Sequence, residues 1–146
     1  MIRNGRYFQF EAPADWTESI DGSRYVYHGP REEELTVSAT IVEGQVSFAQ
    51  RQVVEGHLLD NALAAARKAA AHPDLKVTKT LALEEGVSAL PCWTLVSETR
   101  ARDVLFCEAV VRVTGGVLLV TLEAPAGPEA LQVFRGFLKS LRHPES

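Results

Sequence analysis

The chain is short of the residue patterns that carry most enzyme chemistry. It has two cysteines, Cys92 and Cys107, in no CxxC or zinc-type spacing. It has no phosphate-cradling glycine loop and no HExxH pair. Gly86-Val87-Ser88-Ala89-Leu90 lacks the second glycine and the strand-to-helix context of a nucleophile elbow, so it reads as a surface turn. There is no long apolar run. The strongest stretch, Val104 to Val113, is broken by Glu108 and Arg112, which excludes a spanning helix and stable membrane insertion. Met1 to Gly5 has no apolar leader, so the expected location is the cytoplasm. Basic residues are scattered and the net charge is −4, which argues against nucleic acid. No metal, cofactor or catalytic residue is expected from these patterns.

What is present is ordinary globular composition: 146 residues, 46% hydrophobic and 23% charged. That length fits one domain spanning 1–146 and buries a core without a disulfide or metal staple. Tyr7 to Glu11, Arg24 to His28 and Leu35 to Ile41 alternate as strands, the second entered by an Asp21-Gly22 turn. Thr17 to Ser23 reads as a loop, and Trp16 as a plug at the end of the core. Ser47-Phe48-Ala49-Gln50 is a capping-box pattern opening a helix to Ala71, ended by His72-Pro73. Its apolar stripe is Val54, Leu58, Ala62, Ala65 and Ala69, with Leu59, Leu63, Ala66 and Ala70 beside it. Leu75 to Leu83 is a further strand. Pro91 to Arg100, Val104 to Thr114 and Val117 to Glu123 form an antiparallel meander, with turns near Ala101-Arg102 and at Gly115-Gly116. Pro128 opens a last helix carrying Leu131, Phe134, Phe137 and Leu141. The fold class expected is α+β, a central antiparallel sheet flanked by helices.

Pairing Thr114 with Val117 and Arg100 near Asp103 sorts the meander into two faces. One is almost wholly apolar, from Cys92 through Cys107, Ala109 and Val111 to Val120, and needs a covering helix. It sets Cys92 opposite Val111, roughly 13 Å from Cys107, too far for a disulfide. The other face sets Trp93, Leu95, Phe106, Val110 and Leu119 among Glu108, Arg112 and Glu123. Bulky apolar groups among charges mark either a contact surface or a face covered by the chain's own helix. Glu32-Glu33-Glu34 reads as a solvated loop or a patch for a basic partner, His57 as a solvated helix residue, and His72 as a cation suited to a helix end.

Phe8 to Trp16 with its Pro-x-x-Trp, Leu35 to Ile41, Ser47 to Gln50, Gly86 with Ala89-Leu90, and the last helix occur in an order that resembles the PsbP-like superfamily. Within it the chain is similar to the DcrB-related proteins, which include the Eag chaperones of type VI secretion. The resemblance implies a cytoplasmic homodimer that shields the hydrophobic helices of a secreted effector, with Val26 in the strand lining the groove. The contact surface expected is then Val26, Trp93, Leu95, Phe106, Val110 and Leu119. An immunity-type or scaffold protein binding a folded partner is the alternative, and a small hydrolase or isomerase a more distant one; a secretion-spike or toxin gene beside this one would favour the first reading and a metabolic operon the last.

Overall fold

A computed structural model describes residues 2–4, 7–42, 47–99 and 102–144. Nine strands and two helices follow in order: β1 (Ile2–Asn4), β2 (Gln9–Glu11), β3 (Thr17–Asp21), β4 (Arg24–His28), β5 (Glu34–Ile41), α1 (Phe48–Ala70), β6 (Leu75–Leu83), β7 (Cys92–Thr99), β8 (Val104–Val113), β9 (Gly116–Pro125) and α2 (Pro128–Ser140). Strands β3 to β9 form one seven-stranded sheet, in the order β3-β4-β5-β9-β8-β7-β6, and every neighbouring pair is antiparallel. The α+β class and the antiparallel meander expected from sequence are therefore what the chain adopts.

Two expected elements differ. Thr17 to Asp21 is not a loop but the edge strand β3, joined to β4 by a tight turn at Gly22, whose φ is +60°. Its burial pattern is mostly exposed, so it carries no alternating apolar signal. The strand at Tyr7 to Glu11 shrinks to Gln9–Glu11 and leaves the main sheet, pairing with β1 in a small hairpin. That hairpin is clipped to β3 by Arg3, whose guanidinium donates to Glu18, while the Tyr27 hydroxyl donates to the same carboxylate at 2.8 Å. Arg3 holds the Glu18 carboxyl below its ordinary range, and burial raises the Tyr27 phenol.

The apolar face of the sheet is covered by α2 and the β1–β2 hairpin. Phe8, Phe10, Phe134, Phe137 and Leu138 pack there on Cys107, Ala109, Val111, Leu118 and Val120. The Phe10 and Phe137 rings lie 5.2 Å apart. Pro128 stands in the first turn of α2, as expected. Cys92 does pair with Val111, and both thiols are free and buried.

The β8–β9 turn sits one residue earlier than expected. Val113 pairs with Gly116, so the turn is Thr114-Gly115, with Gly115 at φ +90°. Both glycines have separate duties. A side chain at Gly116 would collide with the Thr40 carbonyl oxygen of β5. The shift is two residues in pairing sum, so every side chain keeps its face. The Arg100 pairing and part of the turn at Ala101-Arg102 lie outside the described residues. Asp103, beside them, has φ +25°.

Helix α1 crosses the second face. Ser47 caps it with both halves of the capping box in place, at 3.1 Å each. Only part of the expected apolar face is buried. Glu55, Leu59, Leu63 and Ala66 face the sheet, whereas Val54, Ala65 and Ala69 are exposed. The two stripes adjoin on one broad apolar arc, and the one with the larger leucines docks because it removes more apolar area from water. Glu55 fixes the choice: its carboxylate accepts the Gly115 N–H at 2.6 Å.

A half-covered sheet face as candidate binding site

The face opposite α2 is built from alternate residues of five strands. From β7 to β4 it carries Trp93 and Leu95, then Phe106, Glu108 and Val110, then Val117, Leu119 and Thr121, then Thr36 and Ser38, then Val26 and His28. These are the neighbours the sequence parity demands. All six expected contact residues do share this face.

They do not share its exposure, because α1 lies over only part of it. Val110 and Leu95 are 0% and 3% exposed, and Trp93 is half-buried beside Leu58, Ala62 and Leu81. These three belong to the packing under α1 rather than to an open surface. Val26 and Phe106 are half-buried, and Leu119 is 37% exposed. These three lie on the part α1 leaves uncovered, over β4, β5, β9 and the far end of β8. The helix misses it because its start is pinned at the Gly115 turn by Glu55 and its end runs to β6. There Arg67, Ala70 and Ala71 share a cavity with Val77, Thr80, Leu81 and Leu95.

The second wall of the site was missed at sequence level. At 100° per residue, Val54, Leu58, Ala65 and Ala69 fall within an arc of about 60°. Arg67 lies on the opposite flank and looks towards β6. The Val54–Ala69 flank therefore faces away from β6, on the side of the strands that α1 leaves uncovered. It is apolar, mostly exposed and made of small side chains. The result is a trough with a sheet floor and a helix wall. Periodicity showed this stripe, but it did not show that the neighbouring stripe would be the one to dock.

The floor is polar towards the β8–β9 far end. Glu34, Thr36, Phe106, Glu108, Thr121 and Glu123 line a cavity of about 210 Å³. Burial raises the Glu108 carboxyl above its ordinary range.

The other sequence candidates have structural duties. Ser88 accepts the Leu90 N–H at 3.2 Å in a turn that buries Val87 and Leu90. His72 Nδ1 accepts the Asp74 N–H at 3.1 Å, and His57 is exposed. The acidic run is not simply solvated. Glu33 is buried, and its side chain accepts the Arg31 N–H at 2.5 Å. Glu32 occupies a positive φ and Glu34 begins β5. Among the described residues no cluster of three His, Cys, Asp or Glu side chains could hold a metal, and no helix is long and apolar enough to cross a membrane.

No protein-family model and no curated relative matches the chain. Solved structures do. LpqN of Mycobacterium tuberculosis, described as involved in cell envelope biogenesis, is similar at TM-score 0.53 and 13% identity, over 94% of this chain and 83% of LpqN. CyanoP, the cyanobacterial PsbP of Synechocystis, is similar at TM-score 0.50 and 14% identity, over 93% of this chain and 86% of CyanoP. The fold is PsbP-like. A protein of Bacteroides thetaiotaomicron matches all of this chain at TM-score 0.57 and 15% identity, and the chain spans about half of that protein's length. At such identities the likeness concerns the PsbP-like fold alone.

Proposed function

We propose that this chain is a non-enzymatic binding protein that covers an apolar helical segment of a partner protein, in the manner of a chaperone or adaptor. The observation that carries the reading is the trough: Leu119, Phe106 and Val26 on the sheet floor α1 leaves uncovered, beside the flank of α1 with exposed Val54, Ala65 and Ala69 and half-buried Leu58. A helix laid there would bury its apolar face against both walls. Each Å² of apolar area removed from water contributes about 25 cal/mol before ordering costs. The sequence resemblance to the Eag chaperones suggests a type VI effector as the partner, held in the cytoplasm before secretion, with a homodimer as the working form.

Leu119→Asp tests this. The position is 37% exposed, so the variant is expected to fold with a stability change of about 1 kcal/mol. It is expected to lose co-purification of a secreted effector encoded at the same locus. A folded Leu119→Asp that still retains its effector would overturn the reading.

A further inference from the structure

The trough has a charged end, and the charge there is of one sign. Phe106, Glu123 and Glu34 occupy one rung across β8, β9 and β5, and Glu108, Thr121 and Thr36 occupy the rung two residues on. All six side chains line one cavity. Three glutamates thus line one space with a half-buried aromatic ring, and no lysine or arginine lines it with them.

The other partly or fully buried glutamates of the described residues are matched. Glu18 has Arg3 and Tyr27, Glu33 has the Arg31 N–H, Glu55 has the Gly115 N–H and Arg112, and Glu84 has Arg135 and Lys79. Glu34 and Glu108 are half-buried, and among the described residues neither has a hydrogen bond or ion pair from its side chain. Burial raises the Glu108 carboxyl with no donor or cation offsetting it. His28 stands across the β4–β5 ladder from Glu34 and is exposed.

We infer that this cavity seats a lysine or arginine of the bound segment, so that the occupant of the trough is an apolar helix carrying a cation towards one end. This rests on the binding reading above and adds its chemistry and direction. Charge complementarity decides the occupant. A wholly apolar helix would cover Glu108 and Glu34 without replacing their water, which destabilises the complex. An acidic residue there would meet three like charges. An ammonium or guanidinium meets the carboxylates and the Phe106 ring together, a combination of ion pairing and cation–π attraction. The cationic end of the segment then lies by Glu123, and its apolar body runs past Leu119 alongside α1.

The test uses three synthetic helices with one alanine–leucine body and a terminal Lys, Gln or Glu, titrated by fluorescence anisotropy. The Lys peptide is expected to bind roughly tenfold more tightly than the Gln peptide, the effect of one charge-assisted hydrogen bond, and the Glu peptide more weakly still. In Glu34→Gln/Glu108→Gln/Glu123→Gln the advantage of the Lys peptide over the Gln peptide is expected to fall below about twofold. Equal binding of the Lys and Gln peptides to the unaltered protein would overturn the cation inference while leaving the trough. Binding of none of the three would overturn both. The unaltered-protein comparison stands even if the triple variant fails to fold.

Discussion

Glu108 shows how one residue can work against stability where it sits. Its strand neighbours alternate cleanly, and parity puts it on the α1 side of the sheet with Phe106 and Val110. It is half-buried, and burial raises its carboxyl above the ordinary value. A raised carboxyl pKa means the folded state holds the proton more tightly than the unfolded chain does. The contribution to stability is fully present below the unfolded pKa and is lost as pH rises through the folded one. At neutral pH the ionised group therefore opposes folding. Glu108→Gln is expected to raise the melting temperature at pH 7.5, and the gain is expected to vanish at about pH 3.5, below the ordinary carboxylate range. Paired thermal melts at the two pH values check this. A gain of equal size at both would show that the effect is packing rather than charge.

At the scale of elements, α1 separates what is local from what is not. Its start was legible in four residues, because the Ser47 and Gln50 reciprocity is a local hydrogen-bond pattern. Its rotation was not. The helix offers one apolar arc wider than a sheet can cover, and the docked half is selected by Glu55 reaching Gly115, 60 residues away. No local pattern reports such a contact, and a glutamate beside Val54 reads as solvated. The same limit hid β3, which is an edge strand with exposed residues on both faces. Two substitutions separate the roles. Ser47→Ala removes a cap at the exposed end and is expected to cost about 1 kcal/mol. Glu55→Ala strands a buried N–H at the β8–β9 turn and is expected to cost about 1–3 kcal/mol, more than Glu55→Gln, which keeps an acceptor. Urea unfolding of the three variants measures both. If Glu55→Ala proves neutral, α1 is held by its leucines alone.

For the molecule as a whole, the sheet was readable because side-chain parity survives small errors. The β8–β9 pairing was misplaced by two in its sum, yet each residue kept its face, since only an odd slip exchanges faces. The β7–β8 register, with Cys92 opposite Val111, was right in detail because few residues separate the two strands. Sequence could not show how far α1 extends across its face, so Val110 and Leu119, neighbours on one rung, could not be told apart as covered and open. The α2 side has no such ambiguity, and the cysteines report on it. Cys92 and Cys107 are 1% and 0% exposed, four rungs apart, beneath the layer that includes Phe134 and Leu138. Burial pushes both thiols up to about 12, so neither is a ready thiolate at neutral pH. Two free thiols per chain are expected in denaturant without reductant. In the native protein both should resist a thiol reagent, because reaching either requires opening the layer that packs the sheet. Their labelling rates should match each other and fall together as the protein is stabilised, since one cooperative core covers both. Labelling of Cys92 at a rate far above that of Cys107, followed by mass spectrometry of the separated peptides, would show that the β7 side opens on its own and that the α2 layer is not one unit.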